Sequence, residues 1–590
     1  MKKHIVITGE GIVCAIGIDK QQVLQSLRQK QSGIAPIRYL HSSHSELPVA
    51  EVPMSNDEMR TLLGVSDLLI SRTTLMGIMA IRQALSDAGV SAEMVKEKAL
   101  RLILVSGTTV AGMDITERFF HDFEHSDEAL HSMEYHSAGS NTRLMADYFN
   151  IFTKYTTIST ACSSAANALL FGARLLEAGE CDMVVAGGSE ALSIFHLNGF
   201  NSLMILDHEP CRPFDATRAG LNLGEGAAFL VMETEEHALQ RKVEFHAYLT
   251  GYGNACDAFH QTASSDNGEG AYLAMTEALH EAGLQPTDIQ YVNAHGTGTP
   301  NNDLSESVAL QRVFAGKMPL VSSTKSFTGH TTSASGSIEA VICLLALTHQ
   351  FVPANLNWSQ PIEGGVVPTM GVDSYPLENI LCNSFGFGGN DTSLVFSRLP
   401  HNTQATIATQ TTDVHVLAEV EINSENELAE IRDYVKPLEA RRMGKIMKSS
   451  LLSSLKALKQ AGINQPDAIV TATSMGCLES SEQLLRQLIE EGETTLKPTF
   501  FMQSTHNTIS SNVAIRLGCH GYNVTYTQDE SSMEWALHDA ELLLKSGKCK
   551  TVLVGCHDES TPLFRHVMER LGYPSVPVIK SKAIVLSCGE

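Results

Sequence analysis

Two stretches of this chain repeat each other at a fixed spacing, and that constrains the fold more than any other feature. Shifted by 368 positions without gaps, Ala161-Cys162-Ser163-Ser164-Ala165-Ala166-Asn167-Ala168-Leu169 falls on Asp529-Glu530-Ser531-Ser532-Met533-Glu534-Trp535-Ala536-Leu537. In the same register Gly179, Cys181, Val184 and Gly187 fall on Gly547, Cys549, Val552 and Gly555. Upstream, at a slightly different offset, Ala84-Leu85-Ser86-Asp87-Ala88-Gly89 matches Ala457-Leu458-Lys459-Gln460-Ala461-Gly462. Strand, turn and helix signals repeat along with the letters, which reads as a duplication.

The repeat divides 590 residues into a long block, 1–398, a polar Thr-rich stretch at 399–412 that suits a linker, and a second block at 413–590. Short apolar runs alternate with helix-period stretches in the first block: Leu102–Val105, Ser163–Ala178, Met183–Ala186, Ala227–Met232, Tyr272–Glu281. That alternation predicts an α/β fold with helix-covered sheets. Only 18% of residues are charged, so the chain buries a large core and wholesale disorder is excluded. The net charge of −24, with −19 of it in residues 1–400, argues against a nucleic-acid face. No apolar run approaches the ~20 residues of a membrane span. The N-terminus reads as a strand that turns at Gly9 and Glu10, not as a signal peptide, and the twelve cysteines, without Cys-x-x-Cys spacing, read as reduced thiols of a cytoplasmic protein.

One cysteine has a special setting. A strand, Thr156–Ser159, leads through a small-residue turn into a long helix, with Cys162 at the junction. A helix N-terminus offers free N–H groups and partial positive charge, which favour a thiolate. An isolated cysteine there would read as one more buried thiol, but two histidine segments change that. Asn293-Ala294-His295-Gly296-Thr297-Gly298-Thr299-Pro300 follows a strand at Ile289–Val292, and Ser322-Ser323-Thr324-Lys325-Ser326-Phe327-Thr328-Gly329-His330 opens a helix containing Glu339. A nucleophile with two histidines points to covalent acyl chemistry. Asn383-Ser384-Phe385-Gly386-Phe387-Gly388-Gly389-Asn390 adds a backbone flexible enough to aim N–H groups at a carbonyl.

These segments, together with Arg212-Pro213-Phe214-Asp215 and Gly224-Glu225-Gly226-Ala227, resemble the β-ketoacyl-acyl-carrier-protein synthases of the elongating Cys-His-His type. The resemblance covers 1–398 and implies the layered thiolase fold, in two halves of about 1–250 and 251–398. It implies an acyltransferase that condenses an acyl thioester on Cys162 with a malonyl thioester, with decarboxylation. His295 and His330 would promote decarboxylation, and Lys325 would orient the second histidine region. Glu306 and Glu339 would be supporting charges. The N–H groups of Cys162 and Phe387 would form the oxyanion hole, Phe387 doubling as a gate, and Thr297 and Thr299 would hold phosphopantetheine. No metal or free cofactor is expected, since substrates ride on the phosphopantetheine of an acyl carrier protein. A homodimer, or a hetero-oligomer with a ketosynthase-type partner, is expected as well.

Residues 413–590 resemble only the N-terminal half of a synthase, similar to chain-length factors, with Glu530 where the thiol would be. This half is expected to be inactive and to dock on a ketosynthase surface, in cis or across a dimer. The fusion points to aryl-polyene, flexirubin-type or polyketide-like lipid synthesis. The alternatives are a non-catalytic chain-length or scaffold subunit, which the intact Cys162, His295 and His330 oppose, and general fatty-acid elongation. Arg441, Arg442, Lys445 and Lys448 read as a basic helix face suited to an acidic carrier protein, in contrast to Ser-Asn-Asp-Glu-Met-Arg at 55–60. Thr108–Gly112 and Tyr135–Ala138 are candidates for the wall of the acyl pocket.

Overall fold

The computed structural model describes residues 3–123, 126–401, 413–494 and 496–588, so most of the expected linker, 402–412, lies outside the described residues. Among the described residues there are fifteen strands in chain order: β1 (Ile5–Cys14), β2 (Leu102–Gly107), β3 (Lys154–Ile158), β4 (Met183–Glu190), β5 (Gly226–Thr234), β6 (Ala247–Cys256), β7 (Tyr291–Asn293), β8 (Leu320–Ser322), β9 (Asn379–Gly386), β10 (Asn390–Ser397), β11 (Val414–Ile422), β12 (Ala468–Ala472), β13 (Tyr522–Tyr526), β14 (Thr551–Glu559) and β15 (Ile579–Cys588). Their spatial order is β11-β15-β14-β12-β13-β3-β2-β4-β5-β1-β6-β10-β9-β7-β8. This is one five-strand pattern used three times: 1-5-4-2-3, then 6-10-9-7-8, then 11-15-14-12-13.

The first two modules pack their central helices, Ser164–Ala178 and Ser335–His349, against each other. The crossing is tight at Gly336, where a Cβ would stand 2.7 Å from Ala166 Cβ. Thr332–His349 is apolar and long enough to meet a membrane-span criterion, but 89% of it is buried, as a core helix should be. The expected turn at Gly9 and Glu10 does not occur. β1 runs straight through them, with a register shift between Ile7 and Gly9. The glycines serve packing instead: a Cβ at Gly9 or Gly11 would meet the carbonyl of Ala84 or Ala80, on the helix Arg72–Asp87, at 2.2 and 2.0 Å.

The third module docks in cis, edge to edge with the first. β3 and β13 meet antiparallel with Ile158 opposite Tyr526, flanked by Ser159 N–H donating to Thr525 O (2.9 Å) and Thr527 N–H donating to Thr157 O (3.0 Å). Ile158 and Tyr526 are equivalent in the 368-residue repeat, so a local two-fold pseudo-axis passes between them. The contact is isologous, as between two copies of one subunit. A single hydrophobic core crosses it, where Phe171 packs edge-on to Tyr526 and Trp535 at 5.3 and 6.0 Å. On the helix Ser532–Lys545, Met533, Leu537 and Leu542 are half-buried.

The two backbone bonds respect the two-fold, but one buried ion pair does not. Arg174 donates to Asp539 Oδ1 at 2.8 Å and stacks over the Tyr522 ring at 4.4 Å, while Tyr522 OH donates to Asp539 Oδ2 at 2.8 Å. The repeat equivalents of Arg174 and Asp539 are Leu542 and Phe171. The pair therefore has no mirror image.

Candidate active site

Cys162 sits where β3 turns into the helix Ser164–Ala178. The turn is set by Ala161, whose φ of 51° lies in the left-handed region and which drives the chain sharply round before the thiol. Ser164 Oγ locks it, accepting from Thr160 N–H (2.9 Å) and donating to Ala161 O (2.7 Å). The second copy builds the same elbow: Asp529 has φ 46°, and Ser532 Oγ accepts from Gln528 N–H and donates to Asp529 O, both at 2.7 Å. There it presents Glu530, an exposed carboxylate.

Around Cys162 the structure brings the two histidines together. His330 Nε2 stands 3.1 Å from Cys162 Sγ, and the His295 and His330 rings meet edge to face at 5.3 Å. All three side chains are nearly fully buried. Burial, with Lys325 nearby, holds both imidazoles well below their ordinary pKa, so both are neutral. His330 Nδ1 is 3.1 Å from Ser335 Oγ. A ring donating there presents its Nε2 lone pair to the thiol. His295 Nδ1 is 3.3 Å from Lys325 Nζ. An ammonium only donates, so Nδ1 accepts and the ring proton lies on Nε2.

Two expectations change here. Lys325 stands against His295, not His330, because its ammonium is drawn to Glu339 Oε1 (2.5 Å) on the core helix. The helix terminus does not make Cys162 a resting thiolate. Loss of water outweighs both the Lys325 charge and the Phe387 N–H that points at the sulfur, and the thiol is pushed up to about 11. Deprotonation therefore has to be assisted. Iodoacetamide labelling of Cys162 should keep rising from pH 7 through pH 9, followed by peptide mass; a plateau below pH 9 would indicate a preformed thiolate–imidazolium pair.

Glu306 acts through the backbone, accepting from His295 N–H (2.9 Å) and Gly296 N–H (2.7 Å) and so fixing the loop; Asn383 Nδ2 adds a third donor at 3.2 Å. Burial lifts Glu306 and Glu339 to about 7. Thr297 and Thr299 share a hydroxyl contact of 2.9 Å on the same loop. The ligand-capable atoms of Cys162, His295 and His330 lie within 4.8 Å of one another, a spacing a metal could use, but the buried Lys325 ammonium opposes a cation there. Arg72 grips Glu225 at 2.6 Å, and Asp215 accepts from Ser359 and Gln360 N–H at 2.6 and 2.8 Å, so those two motifs frame the site without entering it.

Sequence reasoning missed several residues. Glu190, fully buried, accepts from Thr108 Oγ1 (2.9 Å), Thr109 N–H (2.7 Å) and Ser333 Oγ (2.5 Å), tying a pocket edge to the loop after His330. From the second copy, Asn507 Nδ2 donates to Phe387 O at 2.8 Å, and Phe501 packs on Phe200, which stacks on Phe387 at 5.7 Å. Gly199 makes room for it, since a Cβ there would lie 2.2 Å from the Phe501 ring. Only the smallness of Gly199 signalled this in the sequence.

The family model for the β-ketoacyl synthase N-terminal domain matches residues 2–238 and, a second time, 396–577; the C-terminal domain model matches 246–359. The chain belongs to the β-ketoacyl synthase family. Over 428 residues, 68% of this synthase and 100% of the relative, it is 34% identical to 3-oxoacyl-[acyl-carrier-protein] synthase 2 of Vibrio cholerae. Among solved structures it resembles the ishigamide ketosynthase/chain length factor (29% identity, TM-score 0.63, 68% of this chain and 100% of that one). It also resembles the ketosynthase ApeO, solved in complex with its chain length factor ApeC, from Xenorhabdus doucetiae (30%, TM-score 0.59, 67% and 98%). The PfaC ketosynthase–chain length factor shares the fold over 99% of this synthase and 78% of its own chain, at 17% identity and TM-score 0.78. The synthase is an acyltransferase-class condensing enzyme with the thiolase fold.

Proposed function

We propose that residues 1–398 carry one complete condensing site and that residues 413–590 are an inactive partner copy fused to it. The single observation that carries the reading is the 3.1 Å approach of His330 Nε2 to the Cys162 thiol, beside a second neutral histidine whose proton is held on Nε2. His330 takes the thiol proton as Cys162 Sγ attacks an acyl thioester, and the carrier's thiol leaves. The oxyanion forms against the N–H groups of Cys162 and Phe387. A malonyl thioester then loses its carboxylate as carbon dioxide. The electron pair moves to an enolate whose oxygen is stabilised by His295 Nε2–H and by His330 in the tautomer with its proton on Nε2, Ser335 Oγ then donating to Nδ1. The enolate carbon attacks the Cys162 thioester, forms the carbon–carbon bond and expels the thiolate. Lys325 and Glu339 hold His295 in its tautomer, and Thr297 and Thr299 face the phosphopantetheine arm.

The partner we assign is an acyl carrier protein, in keeping with a solved relative described as a type II acyl-carrier protein in complex with its ketosynthase. Arg441 and Arg442 are exposed in the turn between two helices, Pro437–Ala440 and Lys445–Ala461, not on a helix face, because Gly444 starts the second helix afresh. With Lys436 they line a cleft that also holds Glu439, Glu479 and Gln261, and the Gln261 carbonyl accepts from Gly388 N–H at 2.7 Å. The cleft thus puts three cations against two carboxylates beside the Phe387 loop of a strongly acidic chain, suiting an acidic carrier in the cytoplasm. The fused copy favours polyene- or polyketide-like chains over ordinary elongation.

The test is condensation of malonyl and acyl carrier thioesters, with carbon dioxide and β-ketoacyl product expected in equal amounts. Carbon dioxide without ketone would sink the reading. In the same assay R441E/R442E should raise KM for carrier-bound substrate about tenfold or more and leave free pantetheine thioesters unaffected. Equal effects on both would remove the docking assignment.

A further inference from the structure

The loop that carries the Phe387 N–H has little stiffness of its own. Glycines flank Phe387 on both sides, and Gly388 and Gly389 have φ of 82° and 75°, in the left-handed region. An oxyanion donor is effective only if it is aimed before the charge develops. Something outside the loop must therefore hold it.

Contacts from the fused copy supply that hold. The peptide unit joining Phe387 to Gly388 is gripped at both ends: its carbonyl accepts from Asn507 Nδ2 (2.8 Å), and its N–H donates to the Gln261 carbonyl (2.7 Å). Asn507 Nδ2 also donates to Asn390 Oδ1 (2.6 Å), where the loop enters β10. Asn390 Nδ2 in turn donates to Asn523 O on β13 at 3.0 Å. With Asn390 oriented by that bond, Asn507 faces two acceptor oxygens, which turns its amide nitrogen towards the loop. Both asparagines are fully buried. Packing is as close as the bonding: a Cβ at Gly388 would lie 2.2 Å from Ser511 Oγ and 2.9 Å from Asn507 Nδ2.

Asn507 does little for its own helix. It precedes Thr508–Leu517 without a side-chain cap bond, and its Oδ1 has no hydrogen-bond partner among the described residues. An asparagine at a helix start ordinarily spends that oxygen on the first free N–H groups of the helix. Here the side chain bonds to the catalytic block instead.

We propose that Asn507 of the fused copy is a positioning residue of the condensing site: by clamping the Phe387–Gly388 peptide it keeps the Phe387 N–H aimed at the carbonyl oxygen of the Cys162 thioester. The fused copy thereby sets the rate of the reaction without touching substrate. This rests on the reading that Cys162 accepts the acyl chain and that the Phe387 N–H faces the oxyanion.

The test uses the full chain and an acetyl pantetheine thioester isotope-labelled at the carbonyl. It reads the rate of adduct formation on Cys162 and the infrared carbonyl stretch of the adduct. In the wild type the stretch should lie below that of the same adduct in the urea-unfolded chain, because the carbonyl accepts hydrogen bonds. N507A and N507D should slow acetyl transfer at saturation about tenfold or more, with KM within about twofold, and move the stretch up towards the unfolded value. N507A, which only shortens the side chain, carries the test if N507D does not fold. R570A, which removes a contact between the copies at Asp127, should leave both readouts unchanged. In N507A, either change without the other, or neither, would overturn the positioning role. Equal changes in R570A would trace them to a loosened interface and overturn it as well. An unlowered wild-type stretch would remove the oxyanion assignment of Phe387, and no wild-type adduct would remove the nucleophile; either result takes the proposal down with the reading beneath it.

Discussion

Cys162→Ala should leave no acyl adduct by intact mass and lower condensation by at least about 10³-fold, the scale on which removal of a covalent nucleophile acts. The variant should fold, since the side chain removed is small and its neighbours are fixed independently: His330 by Ser335, His295 by Lys325. Glu530→Gln at the matching elbow should keep the rate within about twofold. Glu530 is exposed, and a carboxylate there cannot form the thioester that a thiol forms. Product from Cys162→Ala at anything near the wild-type rate would end the covalent mechanism, and a large loss in Glu530→Gln would give the second copy a chemical role.

Asp539→Ala should cost about 3–5 kcal/mol, measured by denaturant unfolding, because it strands the Arg174 guanidinium in the core among tyrosines, Tyr522, Tyr252 and Tyr526, with no carboxylate partner. R174M/D539L, which removes both charges, should recover most of that loss. The pair also has a consequence for assembly. If a second catalytic block took the place of the fused copy, Arg174 would face the equivalent of Asp539, which is Phe171. A buried cation against an aromatic hydrocarbon lacks the carboxylate it needs, so the interface favours the unlike copy. A double variant as unstable as Asp539→Ala alone would show that the loss comes from packing instead.

Much of the site was legible in the sequence because its parts are local. Cys162 at a strand–helix junction, His295 after a strand and His330 after a Lys-bearing loop are each readable in a few residues, and the structure brings them within contact of one another. Less legible was anything that depends on what faces what. Lys325 precedes His330 by five residues yet serves His295, because Glu339 holds its ammonium within reach of that ring. The thiol's protonation was read from its helix, while burial by the whole fold decides it. Arg441 and Arg442 looked helical until Gly444 interrupted them.

The repeat shows the same division. By itself the sequence determined that one pattern occurs in both blocks, since elbow residues such as Ser164 and Ser532 are held by backbone geometry that tolerates little change. It did not show that β6 to β10 repeat the pattern a third time. Strand order survives divergence because it depends on layer packing and not on particular letters. Nor did it place the second copy. That was decided by the end of the β3 edge, where the Thr157 carbonyl and the Ser159 N–H find backbone partners at Thr527 and Thr525, and by an apolar core that closes only when Tyr526 and Trp535 reach Phe171. Pairing across that edge is also what brings Phe501, His506 and Asn507 to the catalytic block from 120 to 347 residues away, a proximity that only the tertiary fold creates.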